Sequence, residues 1–255
     1  MRQVSQEPIR ILIFGQSNTR GVQLGEGDVA WPDLVAAALP ELTGKPAQIT
    51  VRPFFAHAPG SDAYLAREVQ QREPDIVFLM LTTFSFANRV IEPGVRRRFG
   101  ERAGNAYSTL AGKFDAATRG RGRLAGKLNE SGRALALRVF PAEAVTTYEV
   151  ALEGTTKALQ LLARQEHVQV VAVHGFVKLP KRRSGKPSQK EAVVDRFLDE
   201  MRAVTGRLHI TFINLHRKTI PESWYMPDGL HVSGEAHKAI AAAVLEAFRD
   251  GRIRS

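Results

Sequence analysis

The sequence predicts an α/β protein built on an open, doubly wound parallel sheet, and two observations predict it. Five short apolar runs rich in β-branched residues punctuate the 255-residue chain, and helical patterns lie between them. Strands of a parallel sheet are covered by helices on both faces, so they read as continuous apolar runs. Strand and helix in alternation give the doubly wound arrangement, in which ligands bind beyond the carboxyl ends of the strands.

The first run, 9–14 in "IRILIFGQSNTRGV", climbs to Gly15 and gives way to Gln16-Ser17-Asn18-Thr19. Two readings are open. The polar run is a strand stop followed by a helix N-cap, for which Ser, Asn and Thr are the usual residues, or Ser17 is a nucleophile held at the strand's carboxyl end. A helical pattern covers 29–39, and a second strand covers 48–54. Pro59-Gly60 then opens a helix over 61–71 with Ser61 as its cap, and a third strand spans 75–81. After residue 92 the alternation breaks. Residues 93–141 are rich in glycine and arginine and poor in apolar residues, and read as an insertion, either a mobile lid or a basic arm with partial helix. The alternation resumes with a helix over 142–164, a strand at 168–173, a helix at 190–205, a strand at 209–214 and a last helix at 234–249. The expectation is one domain over residues 1–255.

With 44% hydrophobic and 24% charged residues the chain can bury a core. It has no cysteine, which excludes disulfides, thiolate metal sites and a cysteine nucleophile. No phosphate loop of the G-x-x-x-x-G-K-[ST] kind is present. "MRQVSQEPIR" is too polar for a signal peptide, and no apolar run is long enough to span a membrane. A cytoplasmic protein is the expectation. The formal net charge is +10. Eleven Lys/Arg stand against four Asp/Glu between Glu92 and Arg138, and "KLPKRRSGKPSQK", 178–190, holds six basic residues and no acid. These segments either only keep the protein soluble or hold an anionic ligand, such as an acidic polysaccharide or nucleic acid.

A serine nucleophile needs a base within hydrogen-bond reach and a group that orients the base. Of the seven histidines, His167, His174 and His209 flank or lie in strands and read as packed or surface residues. His231 has a different setting, "WYMPDGLHVSGEAHKAIAAAV", with Asp228 three residues before it in a turn built by Pro227 and Gly229. Such a turn can fold the carboxylate back towards the imidazole. The plain alternative is a Pro-Asp-Gly turn beside an incidental histidine.

Together, "IFGQSNTRG" and "DGLHVSGEAHKAI" resemble the first and last signature blocks of the SGNH, or GDSL-type, hydrolases. The resemblance implies a flavodoxin-like three-layer α/β/α sandwich on a five-stranded parallel sheet, with the basic segment inserted after the third strand. It implies Ser17 as nucleophile, His231 as base and Asp228 as its orienter. The oxyanion hole would be formed by the backbone N–H groups of Ser17 and Gly60 and by the side chain of Asn88. Two departures stand out. The family usually has aspartate before the serine, where this chain has Gln16. "GQSN" is similar to the carbohydrate O-acetylesterase branch. Where the family's third strand runs into Gly-x-Asn-Asp, this chain has "TTFSFANRV", which places Asn88 about three or four positions late. The implied activity is hydrolysis or transfer of a short acyl or acetyl group on a small-molecule or carbohydrate ester, with no cofactor and no metal. The competing expectation is the same fold, catalytically weakened, binding a polyanion through its basic segments.

Overall fold

The computed structural model describes residues 7–88, 91–106, 109, 144–177, 188–216, 220–226 and 231–254. Its elements run β1 (Ile9–Gly15), α1 (Trp31–Thr43), β2 (Ala47–Pro53), α2 (Ser61–Arg72), β3 (Ile76–Leu81), α3 (Phe84–Ala87) and α4 (Ile91–Phe99). They continue with α5 (Tyr148–Ala163), β4 (Gln169–His174), α6 (Gln189–Arg207), β5 (Thr211–Asn214), a 3₁₀ turn (Glu222–Trp224) and α7 (Gly234–Arg249). The five strands form one parallel sheet in the order β2-β1-β3-β4-β5.

The period of two along each strand divides the core into two layers. Ile11 and Ile13 of β1, Phe78 of β3 and Val173 of β4 pack under α1 and α7. Their neighbours Leu12, Phe14, Val77 and Ala172 pack on the opposite face under α2, α5 and α6. Both faces of the central strands are therefore buried, which is why β1, β3 and β4 read as apolar runs, while the edge strand β2 is only half-buried. On the edge of the sheet, the buried Glu68 of α2 accepts from Arg52 Nε of β2 at 2.8 Å and from Arg72 Nε at 3.0 Å. This pairing fastens α2 to the edge strand.

Three of the boundaries that differ from the expectation have a visible cause. α1 continues through Pro40 to Thr43, where Gly44, at φ 71°, donates its N–H to the Pro40 carbonyl and closes the helix. His209 adopts φ 55°, so the last strand begins two residues later, at Thr211. α5 starts at Tyr148 because Thr147 caps it, its Oγ1 accepting from Val150 N at 3.3 Å. Of the expected insertion, α4 and a helical stretch at 101–106 are described, while residues 110–143 lie outside the described residues.

Candidate active site

The sheet order reverses at β1, whose two neighbours β2 and β3 lie on opposite sides of it. A crevice opens at such a switch point, outside the carboxyl ends of the strands. Here it is a cavity of about 110 Å³, walled by Gln16 and Asn18 after β1, Thr83 and Asn88 after β3, His174 at the end of β4, and Val232 ahead of α7. Ser17 is half-buried between Gln16 and Asn18 and is not itself part of that wall.

The polar run after β1 is not a helix cap. Residues 17–23 form consecutive turns, and the first helix starts at Trp31 with Ala30 as its N-cap. The Ser17 carbonyl accepts from Arg20 N at 3.1 Å and Val22 N at 3.0 Å, which folds the turn back on itself. Gly15 is where that turn seats. The Thr19 side chain, 2% exposed, lies so close that a methyl group at position 15 would overlap its Oγ1. Gln16 donates from Nε2 to the Phe54 carbonyl at 3.2 Å, and Phe54 N donates to the Gly15 carbonyl at 3.0 Å. A carboxylate at position 16 could not donate that bond, which gives this departure from the family pattern a structural reason.

His231 sits in a small antiparallel clip. Met226 N donates to the His231 carbonyl at 2.8 Å, Ser233 N donates to the Trp224 carbonyl at 2.8 Å, and Tyr225 pairs with Val232. The clip is tied to the first block, because Val232 N donates to Asn18 Oδ1 at 3.3 Å. The residue after Ser17 is thus bonded to the residue after His231. Asp228, with the rest of 227–230, lies outside the described residues.

Gly60 is the N-cap residue of α2 and adopts φ 76°, a left-handed conformation that glycine takes without strain. Its loop is held by Ser61 Oγ donating to the Ala56 carbonyl at 3.0 Å. Gly154 of α5 packs so closely on that carbonyl that any side chain there would collide with it. Asn88 follows α3 and reaches the cavity wall. Its Oδ1 accepts from Lys190 Nζ at 2.9 Å, and its Nδ2 donates to the Phe84 carbonyl at 3.4 Å. The ammonium fixes which way the amide points, since an NH₂ group turned towards it would meet donor with donor.

Lys190, on the cavity wall, and His237, behind it, have positions that sequence reasoning missed, while His174 is packed, as expected. Lys190 reads in the sequence as one member of a basic run, yet it stands in the first turn of α6 on the cavity wall. His174 is buried at the end of β4, and burial, with the charge of His216, pushes its imidazole down to about 3. His237, on α7, is fully buried and accepts from Trp31 N at 3.1 Å, locking α7 to the start of α1. Burial pushes His237 down to about 4 against the opposing pull of Asp28. The repeated histidine of "HVSGEAH" was the available signal for it. Of the basic run, residues 178–187 lie outside the described residues. Among the described residues no group of three or more His, Asp or Glu is arranged to hold a metal ion, and no helix is long and apolar enough to cross a membrane.

Fold and crevice together define a flavodoxin-like α/β protein with a ligand-binding crevice at its switch point. The GDSL-like lipase/acylhydrolase family matches residues 11–244, and the chain belongs to that family. It is accordingly an ester-bond hydrolase. Solved structures share the fold at low identity. TesA is 13% identical over 94% of this chain and 98% of its own, with a TM-score of 0.55. The psychrotrophic esterase EstA from Pseudoalteromonas sp. is 11% identical over 95% and 97%, with a TM-score of 0.53. A catalytic mutant of Axe2, an acetylxylan esterase from Geobacillus stearothermophilus, is 11% identical over 99% and 100%, with a TM-score of 0.54. No curated protein matches the sequence.

Proposed function

We propose that this hydrolase is a serine esterase acting on short acyl esters, acetyl esters above all, through a Ser17–His231–Asp228 triad. Ser17 Oγ attacks the ester carbonyl carbon while His231 takes its proton, and Asp228 holds the imidazole in the tautomer that can accept it. The carbonyl oxygen becomes an oxyanion, received by the backbone N–H groups of Ser17 and Gly60 and by the Asn88 amide. Collapse of the tetrahedral intermediate breaks the bond to the alcohol oxygen, which leaves with the proton from His231. Water, activated by the same histidine, then attacks the acyl-enzyme and releases the acid. An alcohol in place of water makes the second half a transfer.

The observation that supports this reading best is the hydrogen bond from Val232 N to Asn18 Oδ1, which ties the Ser17 turn to the His231 clip at the carboxyl edge of the sheet. The acetyl preference is supported by the Gln16-Ser17-Asn18 run and by the small size of the cavity. Acetylxylan esterases among the proteins sharing the fold agree with it. The test is active-site labelling with a fluorophosphonate, together with turnover of p-nitrophenyl acetate. Labelling should map to Ser17, and Ser17→Ala should lose about 10⁴-fold or more of the rate while keeping its fold. A Ser17→Ala protein with wild-type activity refutes the assignment.

A further inference from the structure

Asn88 enters the reaction above only as a donor to the oxyanion, and a donor serves only if its amide faces the right way. Its place in an extended conformation after the single-turn helix α3 does not decide that. A side-chain amide donates at one end and accepts at the other. Turned over, it would present Oδ1 to the oxyanion, acceptor against acceptor.

Lys190 settles the direction. An ammonium can only donate, and its Nζ donates to Asn88 Oδ1 at 2.9 Å. One Nδ2 proton of Asn88 goes to the Phe84 carbonyl at 3.4 Å. The other has no partner among the described residues and is left for a ligand in the cavity that Asn88 lines. The bond from Lys190 is charge-assisted, and such bonds are stronger than neutral ones. It also draws electron density towards Oδ1, which makes the Nδ2 protons better donors.

Two further observations set Lys190 apart from the rest of its basic run. Ser188 caps α6, its Oγ accepting from Glu191 N at 3.1 Å, so Lys190 stands in the first turn of the helix. The positive end of the helix dipole lies there, which favours acidic side chains and disfavours a cation. Lys190 is also the one charged side chain among the described residues of the cavity wall, since burial keeps His174 neutral. A lysine held against the dipole, on an otherwise uncharged wall, does not serve its own helix.

We infer that Lys190 is a positioning residue for the oxyanion hole, its ammonium acting through Asn88 Oδ1 to keep Asn88 Nδ2 turned towards the oxyanion. The inference rests on the esterase reading and on the place of Asn88 in it. The test is kcat and KM for p-nitrophenyl acetate in the wild-type protein, Lys190→Met, Lys190→Arg, Asn88→Ala and the double variant Lys190→Met/Asn88→Ala. Tm checks folding, and Lys190→Gln takes the place of Lys190→Met if the latter does not fold.

Lys190→Met should lower kcat by about 10–100-fold with KM little changed, and by no more than Asn88→Ala does, because the freed amide still finds the productive direction part of the time. Lys190→Arg, which still donates, should recover part of the rate. The double variant should be no slower than Asn88→Ala, because a residue that acts through another has nothing to act on once that residue is gone. A Lys190→Met protein with wild-type kcat overturns the inference, whether its KM is unchanged or raised. So do losses that multiply in the double variant, since the ammonium would then act on the substrate directly. If Asn88→Ala keeps the wild-type rate, the oxyanion role of Asn88 fails and the inference falls with it, while the triad is still judged by Ser17→Ala. If the wild-type protein turns over no ester, the esterase reading and the inference fall together.

Discussion

Gly15→Ala should separate the seating of the nucleophile turn from the chemistry it carries. A Cβ built at Gly15 stands 2.6 Å from Thr19 Cβ and 2.8 Å from its Cγ2, besides overlapping Oγ1. Carbon atoms in good contact lie about 3.5–4.0 Å apart, so the turn must shift by about 1 Å to admit the methyl group. Thr19 is 2% exposed and cannot swing into solvent. Gly15 is not among the glycines with positive φ, so alanine meets no backbone strain there. Its lower unfolded-state entropy returns about 0.4–1 kcal/mol. Overpacking costs about 1–3 kcal/mol, which leaves a net loss of up to about 2.6 kcal/mol. For a domain of this length that is a fall in Tm of up to about 10 °C. Catalysis should suffer more, because a misplacement of about 1 Å at a reacting group costs about 10²-fold in rate. The assay is p-nitrophenyl acetate turnover beside thermal denaturation, with Gly15→Ala/Thr19→Gly as the control that removes all three colliding atoms. A Gly15→Ala protein with wild-type kcat and Tm refutes the reasoning, and so does a double variant that recovers no rate.

Asn88→Ala tests the oxyanion hole: removal of one side-chain donor usually costs about 10²–10³ in kcat, with KM little changed. A near-neutral variant would mean that the backbone N–H groups of Ser17 and Gly60 carry the oxyanion unaided. His237 governs acid stability. Its folded value of about 4 lies below its ordinary 6.5, so the unfolded chain takes up the proton first. Its contribution is complete above pH 6.5 and is lost as pH falls towards 4. His237→Asn, which keeps an acceptor for Trp31 N, should flatten denaturant-measured stability over that window. An unchanged slope would show that other groups set it.

The sheet was legible because both of its faces are buried. The central strands β1, β3 and β4 then announce themselves as apolar runs, whereas β2 on the edge is only half-buried and carries Gln48, Thr50 and Arg52. The last helix, α7, closed by polar residues at both ends, falls where its pattern places it. Contacts between distant segments were not legible. Gly44 with Pro46 behind it is a legible helix stop, but Pro40 masks that the helix runs on to it, and nothing near His237 names Trp31, 206 residues away, as its partner. The seating of Thr19 on Gly15 is local in sequence yet depends on the turn geometry at 17–23, which several polar patterns could adopt.

Asn88 shows how spacing in sequence and position in space come apart. Counted from the end of β3, it stands about three or four residues too late for the family's third block. Four further residues in extended chain would carry it about 13 Å past the strand end. Phe84–Ala87 instead form the single helical turn α3, in which four residues advance about 6 Å and the chain doubles round its axis. The displacement is largely absorbed, and Asn88 still lines the cavity. Lys190, 102 residues further on, then takes its Oδ1 and sets the amide orientation. The side chain that the sequence placed out of register is therefore held on the wall by one turn of helix and one ammonium. Substitutions that break α3, such as a proline within 85–87, should act on kcat through Asn88.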